Sequence, residues 1–164
     1  MNRIDNLIFA MADYEAGNAH QIQHSLKVHA FAKLIAGREG LDERTLEILE
    51  AAAVVHDVGI KPAMEKYGSS EGKLQELEGP APACALLEAT GLDAELIDRV
   101  CYLVAHHHTI EPVDGMDYRI LLEADLLVNL FEEHAGADAV EAGLKRVFRT
   151  PTGIALCKTM FCAA

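Results

Sequence analysis

The sequence predicts an all-α fold: one compact bundle of about seven or eight helices. Three observations carry that expectation. Apolar residues recur with a period of 3.6 along most of the chain. The 51% of hydrophobic residues is built mainly from Leu, Ile, Val and Ala, with five Phe, four Tyr and no Trp, a mix that favours packed helices over a sheet. No segment alternates with period two for long enough to demand a strand. At 164 residues the chain has the size of one domain and can bury a proper core without staples. No internal repeat, low-complexity stretch or linker divides residues 1–164.

The first helical segment covers residues 3–16 and ends at Gly17. The second, 20–37, places His24, Val28, Phe31 and Ile35 on one stripe and stops in Gly37-Arg38-Glu39-Gly40. In the third, 43–56, Leu49, Ala53 and His56 fall at i, i+4 and i+7, so the imidazole projects from the face that packs into the core. Gly59 breaks that helix. Residues 61–79, with Gly68-Ser69-Ser70, are the least regular and most polar. They read as a loop at the mouth of whatever site His56 and Asp57 build, a candidate substrate cover.

A helix over 81–90 follows Gly79-Pro80 and runs to Gly91. The next, 93–106, starts near Asp93 and closes on His106, His107 and His108. After Gly115, segment 117–133 carries Asp125 with Leu121, Leu122 and Val128 at helical spacings, which turns that carboxylate inward. Glu123 points to a different face and reads as a surface or supporting residue. Segments 138–148 and 152–161, after Gly136, complete the bundle.

Three helices thus send metal-competent side chains, His24, His56 with its neighbour Asp57, and Asp125, into one interior. A single histidine on an apolar face is commonly a hydrogen-bonded core residue, and a lone buried aspartate commonly caps a helix. Several in one small helical chain point to something held between them. Burying carboxylates without a positive charge is costly, and a metal ion or basic residue is the usual remedy. Imidazole nitrogens and carboxylate oxygens, with no thiolate placed to help, suit Mn, Fe, Co, Ni or Zn.

The order His24, His56-Asp57, Asp125, within residues 20–130 and with the surrounding apolar helical pattern, resembles the HD-domain superfamily of metal-dependent phosphohydrolases. The resemblance implies that His24, His56, Asp57 and Asp125 are ligands of a divalent cation. The segment from Leu77 to Leu87 looks like the one that supplies an additional histidine in binuclear HD proteins, including the diadenosine tetraphosphate hydrolases. Here the matching residue is Glu78. It reads either as a ligand of a second ion or as a solvated residue before the Gly79-Pro80 helix start. Of the three consecutive histidines, at most two face one site, because helical neighbours lie about 100 degrees apart. The His-Thr pair of the diadenosine enzymes favours His108, whereas the His-His pair of HD-GYP-like phosphodiesterases fits His106-His107 or His107-His108. The plain alternative is that they complement a helix dipole.

Lys61 lies four residues beyond Asp57, one later than in the HD-GYP pattern, and the Gly-Tyr-Pro extension is absent. It reads as a phosphoryl-neutralising cation or as an exposed lysine before Pro62. The resemblance implies metal-assisted hydrolysis of a small phosphate ester, with one or two ions lowering the pKa of a water. Asp57 then orients or bridges the attacking hydroxide. A histidine of 106–108, assigned to His107, contacts the phosphate or protonates the leaving oxygen. Two other readings are a di-iron enzyme of the HD fold that activates oxygen, and a noncatalytic metal- or nucleotide-binding signalling module.

A formal charge of −12, from 14 Lys and Arg against 26 Asp and Glu, argues against a nucleic-acid polymer as partner. A small anionic phosphorylated substrate remains compatible, because bound cations supply local positive charge. No window approaches the roughly 18 apolar residues of a membrane helix, and the N-terminal segment carries Asp5 and Asp13 rather than a signal-peptide pattern. Cys84, Cys101, Cys157 and Cys162 form no CxxC motif and read as free core cysteines. A cytoplasmic, reduced protein is expected.

Overall fold

The computed structural model describes residues 2–162. Among the described residues ten helices follow one another: α1 (Arg3–Tyr14), α2 (Ala19–Glu39), α3 (Glu43–Val55), α4 (Ile60–Tyr67), α5 (Gly72–Glu78), α6 (Pro80–Ala89), α7 (Ala94–Val104), α8 (Met116–Glu132), α9 (Ala137–Arg146) and α10 (Pro151–Phe161). No strand occurs among the described residues. The all-α expectation holds, with two more helices than the apolar periodicity reveals. Both extra helices, α4 and α5, lie in the segment read as a loop. They are eight and seven residues long, too short to display a stripe, and Ala63 is the buried residue of α4. Pro62 is tolerated because it sits in the first turn. Gly68 closes α4 with φ 66°, a left-handed cap that glycine adopts without steric cost.

Helix α3 is the axis of the bundle. Every residue from Leu49 to Val55 is buried, as expected of a helix enclosed on all sides. The run Ala51-Ala52-Ala53, fully buried, keeps its girth small where neighbours crowd in. Helix α2 packs against both α3 and α8, α7 and α1 flank α3, α6 pairs with α7, and α9 and α10 close over the α2 and α8 side. Asn2, Asn18, Asp42, Asp93 and Thr150 cap α1, α2, α3, α7 and α10 through their side chains, satisfying amides that the first helical turn leaves free. None of the described helices is long and apolar enough to cross a membrane.

Two glycines set how closely the α4–α5 segment approaches the turn after α3. A Cβ on Gly59 would lie 2.6 Å from Gln75 O and 2.8 Å from Gly79 Cα, so the chain can fold back over the His56-Asp57 turn only with glycine there.

Two sequence expectations are corrected here. Glu123 is not a surface residue: it is fully buried and accepts hydrogen bonds from Arg149 N at 2.6 Å, Thr150 N at 2.9 Å and Thr150 Oγ1 at 2.5 Å. It anchors the start of α10 to α8. The cysteines are not all free, because Cys84 of α6 and Cys101 of α7 form a disulfide across the helical hairpin, their Cα atoms 6.3 Å apart. Their separation of 17 residues spans a turn whose geometry the spacing does not reveal. Cys157 is free and buried, whereas Cys162 is free and exposed. The disulfide removes the support that reduced cysteines gave to a cytoplasmic location.

Candidate metal centre

The interior between α2, α3 and α8 holds a polar cluster in an otherwise apolar core. His24 comes from α2, His56 caps the C-terminus of α3, Asp57 stands in the turn that follows, and Asp125 comes from α8. All four are buried. His24 Nε2 lies 3.3 Å from His56 Nε2, 3.2 Å from Asp57 Oδ2 and 3.2 Å from Asp125 Oδ1. His56 Nε2 lies 3.4 Å from each of the same two oxygens. Atoms bonded to one ion at ~2.1 Å stand about 3.0 to 3.4 Å apart in octahedral or tetrahedral arrangements. The spacing is that of a ligand set.

The orientation of the rings agrees. His56 Nδ1 donates to Ala53 O at 2.9 Å and His107 Nδ1 donates to Val104 O at 2.8 Å; a carbonyl only accepts, so the proton is on Nδ1. His24 Nδ1 donates to the Glu132 carboxylate at 2.9 Å. In each ring Nε2 is turned to the interior, the arrangement that metal-bound histidines use. His107 Nε2 is buried without a hydrogen-bond partner and points at Asp57 Oδ1 from 3.3 Å. An orphaned buried nitrogen facing a carboxylate is costly unless a cation stands between them.

Charge tells the same story. Burial works against a charged His56, but Asp57 and Asp125 outweigh it and push the imidazole up to about 9. Burial opposes a charged His24 as well, and the bond to Asp125 with the nearby carboxylates raises it nonetheless. Desolvation disfavours both carboxylates, yet the His56 charge holds Asp57 well below the usual range, and bonds from His24 and His56 do so for Asp125. The cluster demands positive charge, and without a metal the imidazoles must supply it.

Asp57, His107 and His108 form a second group whose donor atoms lie within 4.8 Å of one another, so the carboxylate of Asp57 faces two candidate positions. His108 is exposed at the mouth, 2.9 Å from Gln75 Oε1 and with its backbone N–H donating to Glu76 at 3.1 Å. Packed against the His107 ring and Gln75, the imidazole loses hydration on that side, which pushes its pKa down to about 4.

Three residues singled out by the sequence lie elsewhere. His106 Nδ1 donates to Tyr102 O at 2.7 Å and its ring stacks on Tyr102, on a different side of the helix end from His107. Glu78 is engaged by Lys66 and by the Tyr67 hydroxyl at 2.9 Å, because the α4–α5 hairpin brings those partners to it. Lys61 Nζ donates to Tyr14 O at 3.0 Å and rests over the Tyr14 ring, which turns it to the α1 side.

Other residues complete the site. Gln21 Nε2 donates to Asp57 Oδ2 at 2.9 Å and Asn129 Nδ2 to Asp125 Oδ1 at 3.0 Å. Gln21, Asn129 and Glu132 stand three, four and seven residues from His24 on α2 or Asp125 on α8, so extending each of those stripes by one or two turns would have found them. Gln75 lies in the segment read as a loop and had no such signal. A cavity of about 290 Å³ opens over the cluster, lined by Gln21, Gln75, His108, Asn129 and Glu132 among others, and by no Lys or Arg among the described residues.

The HD domain family model matches residues 22–142. A crystal structure of a predicted HD superfamily hydrolase from an uncultured Thermotogales bacterium superposes with a TM-score of 0.62 at 26% identity, covering 96% of this chain and 82% of that one. No curated protein matches the sequence. With the His, His-Asp, Asp order gathered at one buried point and the family model spanning most of the chain, the protein belongs to the HD domain family.

Proposed function

We propose that the protein is a metal-dependent phosphohydrolase that cleaves a small phosphate ester, a nucleotide or related phosphomonoester or phosphodiester. The observation that carries this reading is the common aim of three imidazole Nε2 atoms, each with Nδ1 tied back, at two buried carboxylates. A bound divalent cation, Mn, Fe, Co, Ni or Zn, supplies a water of lowered pKa and positive charge for a phosphoryl oxygen.

The chain's own residues supply the rest. His24, His56, Asp57 and Asp125 hold the cation, while Gln21 and Asn129 fix the two carboxylates. Asp57 directs Oδ2 at His24 and His56 and Oδ1 at His107, so it orients the attacking oxygen between them. His107 and His108 would join Asp57 in holding a second ion where two bind. That assignment replaces the acid role for His107, whose proton stays on Nδ1, donated to Val104 O. With no Lys or Arg on the cavity wall among the described residues, the charge of an anionic substrate would fall on bound metal rather than on Lys61. The cavity volume of about 290 Å³ and the net charge of −12 favour a small substrate over a nucleic-acid polymer.

A panel of phosphomonoesters and phosphodiesters, assayed with each metal in turn, tests the reading. Turnover should require metal and disappear in Asp57→Ala while the helical circular dichroism signal stays. Full activity in that variant contradicts the proposal, and oxygen consumption by the iron form without ester hydrolysis would replace it with the oxygenase reading.

A further inference from the structure

The three inward-facing histidines differ in how their second nitrogen is held. His56 and His107 sit at or just beyond the C-termini of α3 and α7, where the last carbonyls of a helix have no intrahelical partner. Each ring therefore finds an acceptor three residues back on its own chain, Ala53 O and Val104 O. His24 lies inside the 21-residue helix α2, where neighbouring carbonyls are consumed by i to i+4 bonds. It has no local acceptor and must obtain one from another element. Glu132, the last residue of α8, supplies it at 2.9 Å from Nδ1. The Glu132 side chain is 11% exposed and is itself held by Lys27 Nζ at 2.6 Å, one turn further along α2.

From this difference we infer that Glu132 is a positioning residue: it keeps the proton of His24 on Nδ1 and thereby presents Nε2 to the cation. The inference rests on the reading that the cluster holds a cation. Glu132 acts on the ion through His24 in this role. The neutral imidazole can carry its proton on either nitrogen, and the bond made by one nitrogen decides which of them is free. Loss of such a supporting carboxylate weakens metal binding by about 10- to 100-fold. His56 and His107 have no equivalent weakness, since no side-chain substitution removes a backbone carbonyl.

The test is zinc affinity by competition with a chromophoric chelator, together with the ¹⁵N NMR signature of the His24 ring in the zinc-loaded protein. Wild type should show Nδ1 protonated and Nε2 bound to metal. Glu132→Ala should lose about 10- to 100-fold in affinity and show a mixed or altered His24 ring signature. Glu132→Gln, which keeps an acceptor oxygen, should recover part of the loss. Lys27→Met separates positioning from helix docking, because it breaks the ion pair and leaves the His24 bond; it should bind zinc within about twofold of wild type. Wild-type affinity and ring signature in Glu132→Ala would overturn the inference and leave the metal site standing. An equal loss in Lys27→Met and Glu132→Ala would overturn it in favour of a docking role. Wild-type protein that binds no zinc would overturn both the inference and the reading beneath it.

Discussion

Two carboxylates on α8, Glu123 and Asp125, are both buried and only two positions apart, yet they serve opposite ends. Glu123 accepts from two backbone amides and one hydroxyl at the start of α10, and burial pushes its pKa up. Asp125 accepts from Asn129 and faces two imidazoles, which hold its pKa down. A carboxylate satisfied by amides closes a fold. A carboxylate surrounded by imidazole Nε2 atoms leaves a charge to be filled from outside. Burial alone does not mark a functional acid; the partners do.

The sharpest way to break this comparison is to remove each acid in turn. Asp125→Ala should abolish tight metal binding, beyond the roughly 10- to 100-fold cost of losing a supporting residue, with the helical circular dichroism signal unchanged. Glu123→Ala should do the reverse. Stranding the amides of Arg149 and Thr150 costs about 3 kcal/mol, a fall of roughly 6 to 12 °C in melting temperature for a chain of this size, while the folded protein keeps its metal affinity. Equal effects of both substitutions on metal affinity would erase the distinction.

Chelation gives a smaller, coupled effect. A metal at 100 times its Kd stabilises the native state by about 2.7 kcal/mol. A strong chelator should therefore lower the melting temperature of wild type and Glu123→Ala by similar amounts, and leave Asp125→Ala unmoved. Calorimetry with and without chelator reads the difference.

Glu50 on α3 offers a third buried acid, satisfied by hydrogen bonds: the His29 ring and Lys33 Nζ approach it at 2.9 Å each. The His29 bond, with help from Lys33, outweighs burial and lowers its pKa. Because the folded value is below the unfolded one, this pairing stabilises the protein above the ordinary glutamate pKa, and the stabilisation is lost as pH falls through the folded value. Glu50→Gln should be less stable than wild type near neutrality, and the gap should close in acid unfolding curves as pH falls. The smallest effect is expected from Lys61→Ala. With Nζ on Tyr14 O, its loss should leave turnover within about twofold of wild type, and a much larger fall would place Lys61 in the chemistry after all.

Much of this was legible in the sequence because α2, α3 and α8 are long enough for a stripe to repeat. His24, His56 and Asp125 each sat on such a stripe, and all three face the same buried point. The helices α4 and α5 were not legible, since eight and seven residues give about two turns. Gln75 and the partners of Glu78 and Lys61 depend on how that hairpin folds back, which only the approach of Gly59 to Gly79 makes visible. Nor did the stripe reveal that Glu123 is buried, because its partners come from a loop 26 residues away. The choice among His106, His107 and His108 needed the actual rotation of the chain past Val104.

The most direct test is metal analysis of protein purified without chelator or polyhistidine tag, alongside Asp125→Ala. The account predicts about one or two equivalents of a transition metal in wild type, lost in the variant. Wild-type protein that is free of metal and takes up none of Mn, Fe, Co, Ni or Zn on reconstitution would contradict it, and the His56-Asp57 pair would then be a structural feature of the core.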